Sequence, residues 1–313
     1  MPDGIFMVTT NLENKSSEFK FFLKISILLS AKIICMNKIL LKTTISLIRN
    51  ALNALSYISK EKAGETGGKI FGQPRKGKIT NENNIFLNTA EKEILYYEKI
   101  PIQTYLWRGD AEKKILLVHG WESNSARWKQ LISLLKKENF TIIALDAPAH
   151  GASGSKFFTQ PLYMEMINVV IQKYAPKNIV GHSAGAFAVA YAVWKYEPTC
   201  VEKIVLLSPL SDNRLVFDMF FNYIDTNERV REGFYAFYRK KYGDLSKLTL
   251  TEFAKKISMK ALIIHDKKDE IIPNSQSLEI HESWKNSELM LTENLGHSLR
   301  HDSVYKKILE FLK

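Results

Sequence analysis

Apolar and polar positions change rhythm along the chain. From residue 93 onward short apolar runs alternate with longer stretches of helical period. The runs at 93–99, 102–107, 115–119, 141–146, 178–182, 203–208, 260–265 and 288–292 read as strands. Several are unbroken β-branched or leucine-rich runs, the composition of strands buried on both faces of a parallel sheet. Amphipathic stretches lie between them near 125–138, 160–174, 185–196, 275–284 and 302–312. Strands alternating with helices imply βαβ units. The predicted fold is therefore α/β, a doubly wound, mostly parallel eight-stranded sheet.

One interval breaks this rhythm. Residues 211–258 separate the sixth and seventh strands and contain the aromatic patterns LVFDMFFNYI and EGFYAFYRKKY. That is too long for an ordinary connection in such a fold. It predicts a helical cap over the carboxyl edge of the sheet, where open α/β sheets bind ligands. The plainer alternative is that these Phe and Tyr residues only hold the insertion to the domain.

A different pattern precedes the sheet. Residues 20–58 are strongly apolar, but Lys24, Lys32, Lys38, Lys42 and Arg49 interrupt every run. No stretch reaches the roughly 18 uncharged residues of a membrane-crossing helix. At about 100° per residue the five cations fall within roughly a third of the circumference, so the segment predicts a basic amphipathic helix or helix pair. Its apolar face has two candidate partners: an anionic membrane surface contacted peripherally, or protein, either the α/β body or a second subunit. Asp3, Glu13 and Glu18 argue against a secretory signal. Met36 opens a plausible second start, which would make residues 1–35 an upstream extension. The glycines Gly64, Gly67, Gly68, Gly72 and Gly77, with Pro74, predict a flexible link over 61–84. The expected organisation is an N-terminal helical extension and linker over 1–84, followed by the α/β domain over 85–313.

Composition modifies this picture in two places. The formal net charge is +11, but residues 1–78 hold 13 Lys/Arg against 5 Asp/Glu, while the rest hold 31 against 28. The basic character belongs to the extension, and the α/β domain has no basic stripe of the kind a nucleic-acid enzyme carries. Only Cys35 and Cys200 are present, which fits a reducing, cytoplasmic setting and reads as two small buried apolar residues, not thiol nucleophiles.

Chemistry enters at Gly181-His182-Ser183-Ala184-Gly185, a G-x-S-x-G pattern. Alone it is a weak signal. Here it follows the apolar run NIV and precedes the helical run AFAVAYAVWKY, the strand–turn–helix setting of a nucleophile elbow. In so sharp a turn, side chains two residues either side of the serine would collide, and Gly181 and Gly185 relieve that crowding. A serine is a poor nucleophile until a base takes its proton, so a histidine must reach it and an acid must orient that histidine.

With this motif the chain resembles the α/β-hydrolase superfamily over about residues 93–313, most closely the small esterase-like members with a helical cap. Three further motifs carry the resemblance: His119-Gly120-Trp121 after the third strand, DAPAHGAS from Asp146 after the fourth, and HDKKDEIIP followed by Gly296-His297 near the end. Members commonly have glycine where this chain has Ala149, a position without a catalytic role. The resemblance implies Ser183 as nucleophile, His297 as base and Asp269 as acid, with the backbone N–H groups of Trp121 and Ala184 as the oxyanion hole. Asp212 and Asp266 remain alternative acids, and His265, His281 and His301 are less well placed bases. The implied activity is a serine hydrolase acting on a carboxylic ester or thioester of a small or lipid-like substrate through an acyl-enzyme, without metal or organic cofactor. An amidase, a peptidase, a carbon–carbon bond hydrolase and a non-catalytic ligand-binding member of the fold are the alternatives. Serine at the elbow argues against the haloalkane dehalogenases and most epoxide hydrolases, which carry Asp there.

Overall fold

The structure, a computed structural model, describes residues 40–244 and 247–313. Lys24, Lys32, Cys35, Met36 and Lys38 therefore lie outside the described residues. The sheet has eight strands: β1 (Glu91–Tyr97), β2 (Ile100–Trp107), β3 (Asp110–Val118), β4 (Phe140–Leu145), β5 (Asn178–His182), β6 (Lys203–Leu207), β7 (Lys260–Asp266) and β8 (Ser287–Thr292). Their spatial order is β1-β2-β4-β3-β5-β6-β7-β8. β2 pairs antiparallel with both β1 and β4, and every later pairing is parallel. The mostly parallel eight-stranded sheet predicted from the pattern is thus the one that forms. β3 begins earlier than its apolar run because Asp110 pairs with Phe140 across a register shift that ends at Lys114.

Parallel strands need covering on both faces, and the helices between strands supply it. On one side lie α5 (Gln160–Tyr174) and α6 (Ala184–Tyr196); on the other lie α4 (Lys129–Lys137) and α11 (Asp302–Leu312). α6 buries Gly185 to Val193 without interruption, and alternate alanines at 186, 188, 190 and 192 keep it slim enough to sit there. α10 (Ser275–Ser283) packs beside β7 and β8, and a short α3 (Asn81–Leu87) precedes the sheet.

Between β6 and β7 stand α7 (Asn213–Ile224), α8 (Glu228–Tyr242) and α9 (Leu250–Ala254). Ahead of the sheet, residues 40–58 form α1 and Lys60–Phe71 form α2. The two N-terminal helices pack on α7 and α8. Leu52 and Ala63 join Phe217, Phe221, Val230 and Phe234 in one buried apolar cluster, with Ile48 and Leu55 against it. Asn227 N–H donates to Asn53 Oδ1 at 2.8 Å, and Arg49–Asp225 and Lys60–Glu232 are ion pairs across the same junction. Protein therefore covers the Ile48, Leu52 and Leu55 face of α1, while Leu40, Leu47 and Ile58 stay exposed.

The flexible link expected over 61–84 is corrected here. Residues 60–71 are helical, capped by the Ser59 hydroxyl, which accepts from Lys62 N–H. The glycines that looked like loop punctuation are a contact surface. A Cβ on Gly64 would lie 2.0 Å from the carbonyl carbon of Gly233 on α8. Two glycines facing each other let the backbones of α2 and α8 touch, so packing offsets the roughly 1 kcal/mol that glycine costs a helix. Among the described residues, no helix is long and apolar enough to cross a membrane.

Candidate active site

Ser183 occupies the turn between β5 and α6 at φ 53° and ψ −122°. A non-glycine residue in that region is strained, and the surroundings hold it there. Ser183 N–H donates to Leu207 O on the neighbouring strand at 2.9 Å. A Cβ on Gly181 would come within 2.7 Å of Ala186 Cα, and one on Gly185 within 2.3 Å of His119 O. Glycine at both positions lets the turn pack this tightly, Gly181 against the start of α6 and Gly185 against the end of β3.

His297 follows β8, and its Nε2 lies 3.0 Å from Ser183 Oγ. Its Nδ1 lies 2.7 Å from Asp269 Oδ2. Asp269 follows β7, and its other oxygen accepts from the N–H groups of Ile271 and Ile272 at 2.9 and 3.0 Å. His265, at the end of β7, places Nε2 3.2 Å from Asp269 Oδ2. The Asp269 side chain is completely buried, whereas His297 keeps 16% of its side chain accessible. Burial opposes ionisation of Asp269, but the bonds from His265, His297 and Ile272 outweigh it and hold the carboxyl well below the usual carboxylate range.

The order of elements and this turn correspond to a known family. A model of the alpha/beta hydrolase fold matches residues 113–256. The chain has the α/β-hydrolase fold. A serine hydrolase-like protein of Danio rerio is 31% identical over 113 residues, which is 33% of this chain and 32% of that protein. The chain thus spans about a third of that relative's length. A bifunctional esterase/perhydrolase of Acinetobacter calcoaceticus is 26% identical over 254 residues, 64% of this chain and 91% of the relative. Among solved structures, the mouse alpha/beta hydrolase domain-containing protein 10 superposes with a TM-score of 0.57 at 15% identity, covering 71% of this chain and 97% of that one.

The other histidines and acids weighed from the sequence sit elsewhere. Asp212 caps α7 and is bound to Arg214. Asp266 accepts from Thr292 Oγ1 and from the Leu295 and Lys268 N–H groups, knitting the end of β7 to the loop that carries His297. His281 meets Ser287, and His301 caps α11. His265 is the residue that sequence reasoning missed. It lies beside Asp269, fully buried and not in reach of Ser183 as a base, with Nδ1 2.6 Å from Ser277 Oγ and Nε2 2.9 Å from Ile272 O. Nothing in a linear sequence marks a histidine as the neighbour of an acid four residues on.

The His297 backbone is held as firmly as its ring. Its carbonyl accepts from His182 Nε2 at 2.9 Å and from Ser208 Oγ at 3.1 Å, and Arg127 donates to the next carbonyl, Ser298 O. On the other side of Ser183, the loop after β3 brings Gly120 so close that a Cβ there would lie 3.1 Å from Ser183 Cβ. Trp121 follows it. Glu122, at φ 50°, donates its N–H to His150 Nε2 at 2.9 Å. His119 accepts in the same way from Ala147 N–H, so the loops after β3 and β4 lock together. Burial pushes His119, His150 and His182 below the ordinary histidine range, and the first two act as neutral acceptors. Ala149 sits at φ 65°, which gives the glycine common in relatives a conformational reason.

Above Ser183 opens a cavity of about 330 Å³. Ser183 and His297 form part of its floor, with walls that include Trp121, Phe158, Phe187, Leu210, Phe217 and Tyr238. Among the described residues no Lys or Arg lines it. At this volume it is at the small end of ligand sites.

Proposed function

We propose that this α/β hydrolase cleaves a carboxylic ester or thioester with an uncharged, largely apolar acyl group, through an acyl-enzyme on Ser183. The observation that carries this reading is the continuous chain Ser183 Oγ, His297 and Asp269, at 3.0 and 2.7 Å, opening into an apolar cavity. His297 Nε2 accepts the hydroxyl proton as the Oγ–C bond forms, and Asp269 stabilises the imidazolium and keeps Nδ1 protonated. Negative charge then develops on the former carbonyl oxygen. Ala184, the first residue of α6, has an N–H without an intrahelical acceptor, and Trp121 follows the glycine that abuts Ser183; their two N–H groups are the donors of choice for that oxyanion. The C–O or C–S bond breaks as the imidazolium protonates the leaving alcohol or thiol. Water, deprotonated by His297, repeats the attack and releases the acid.

The esterase named among the relatives supports the same substrate class. An uncharged acyl group follows from the lining, since a carboxylate buried there would meet no fixed cation among the described residues. A fluorophosphonate probe should label the wild type and leave Ser183→Ala unlabelled, and the variant should lose p-nitrophenyl ester hydrolysis by about four orders of magnitude or more. Equal labelling of the two proteins would remove Ser183 as the nucleophile.

A further inference from the structure

We propose that α2 walls the substrate cavity through Phe71 at its end, and that this ring limits the length of the acyl group accepted. This rests on the ester-hydrolase reading for its substrate class, while the geometry stands independently of it.

Phe71 is the last residue of α2, and its side chain lines the same cavity as Ser183 and His297. Its ring lies parallel to Trp121, with centroids 6.1 Å apart and planes within 3°. It also meets Phe217 and Phe220 of α7 edge-on at 5.3 and 5.2 Å. One ring from the N-terminal helices thus bridges the loop after β3 and the insertion after β6. Without it, the apolar space between Trp121 and Phe217 would open outward.

The position of that ring is fixed from both ends of its segment. Upstream, the Gly64–Gly233 contact sets α2 directly on the α8 backbone. Downstream, residues 72–77 are tied to the loops of the site. Phe158 N–H donates to Gly72 O at 2.7 Å, Gly151 N–H to Gly77 O at 2.9 Å, and Arg75 N–H to the Glu122 carboxylate at 3.0 Å. Gly77, at φ 92°, packs where a Cβ would lie 2.7 Å from the His150 ring. A segment expected to be a loose tether is instead bound to the two loops that flank Ser183. Residue 71 lies outside the 113–256 region matched by the family model.

The substrate consequence is a short or aromatic acyl group that stacks in a space closed by Phe71 and Trp121, and exclusion of long straight chains. The full-length protein is compared as wild type, Phe71→Ala and Phe71→Trp on p-nitrophenyl esters from acetate to decanoate. Truncating the ring should move the optimum to longer chains, with kcat/KM for the longer esters rising about four-fold for each further methylene accommodated. Phe71→Trp should move the optimum to shorter chains. In a Ser183→Ala background, binding of the neutral dye Nile red reads the wall without catalysis, and both substitutions should change its Kd. Phe71→Leu serves if the alanine variant fails to fold. An unchanged chain-length profile together with an unchanged dye affinity, in folded variants, overturns the proposal. If the wild type hydrolyses no ester but the dye affinities shift, the wall stands and the substrate reading falls.

Discussion

Two layers of this protein are built on opposite physical terms. The layer at the carboxyl edge of the sheet is polar and directional. Ser183 is held at a strained φ, Asp269 accepts from two backbone amides and faces two histidines, and the His297 carbonyl accepts from two side chains. The layer above it, where α1 and α2 meet α7 and α8, is aromatic and apolar, with Phe217, Phe221, Phe234 and Tyr238 joined by edge-on and tilted ring contacts. Hydrogen bonds lose most of their value when an angle or distance slips, whereas apolar contact tolerates rearrangement of similar volume. Under the proposals above, chemistry that needs fixed angles sits on the first kind of support, and the choice of acyl group on the second. Substitutions in the lower layer should therefore act on rate, and those in the upper layer on stability and selectivity.

The widest separation between the layers is expected from Asp269→Asn. It keeps the volume but loses the charge that favours a protonated Nδ1 on His297, so ester hydrolysis should fall by about 10³–10⁴-fold. The buried bonds it weakens should cost about 1–3 kcal/mol in urea unfolding. A loss of activity under tenfold would mean that the chain from Ser183 through His297 does not depend on this acid.

The upper layer is broken more gently by a pair of substitutions. Gly64→Ala drives a methyl into the Gly233 backbone and should lower stability by about 1–3 kcal/mol. Gly67→Ala meets only ordinary contacts, at 3.6 to 4.0 Å from Phe221, Val230 and Leu52, and should be neutral or stabilising by up to about 1 kcal/mol. Thermal melts of the two variants check the contrast, and equal destabilisation would mean that α2 and α8 do not cross at Gly64.

The smallest effect is a pH dependence shared by the lower layer. His119, His150 and His182 are held neutral by burial, so their folded-state values lie below the ordinary histidine value of about 6.5. As pH falls below about 6.5 the unfolded chain takes up protons first. The stability these residues contribute is complete above that value and is lost progressively on acidification. Asp269, lowered in the same sense, keeps its contribution until the pH reaches the ordinary carboxylate range near about 4. Melting temperatures should be level between pH 7 and 8 and decline from pH 6.5 to 5; a constant or rising value on acidification contradicts the assignment of neutral histidines.

Much of the lower layer was legible in the sequence because it is local. The strand, the turn and the helix around Ser183 occupy consecutive residues, and Gly181 answers a clash inside that one turn, while Gly185 answers one with β3. The eight strands were legible for the same reason, since a run buried on both faces shows its period without reference to its neighbours. Asp269 and His297 could be named only through the resemblance, because nothing local joins residues 28 positions apart. The glycines at 64 and 68 misled: their meaning lies in α8, more than 160 residues away, and in isolation they look like any flexible link.

By itself, then, the sequence determined what short-range sterics and hydrophobic period can determine: an α/β sheet, a sharp turn presenting Ser183, and an aromatic insertion between β6 and β7. Only the tertiary structure decided that His265 stands beside Asp269, that residues 60–71 form a helix seated on Gly233, and that Phe71 reaches the cavity above Ser183. Each of these depends on two segments meeting across a long stretch of chain. Such a contact leaves no periodic trace in either segment, because its free energy appears only when both surfaces are in place.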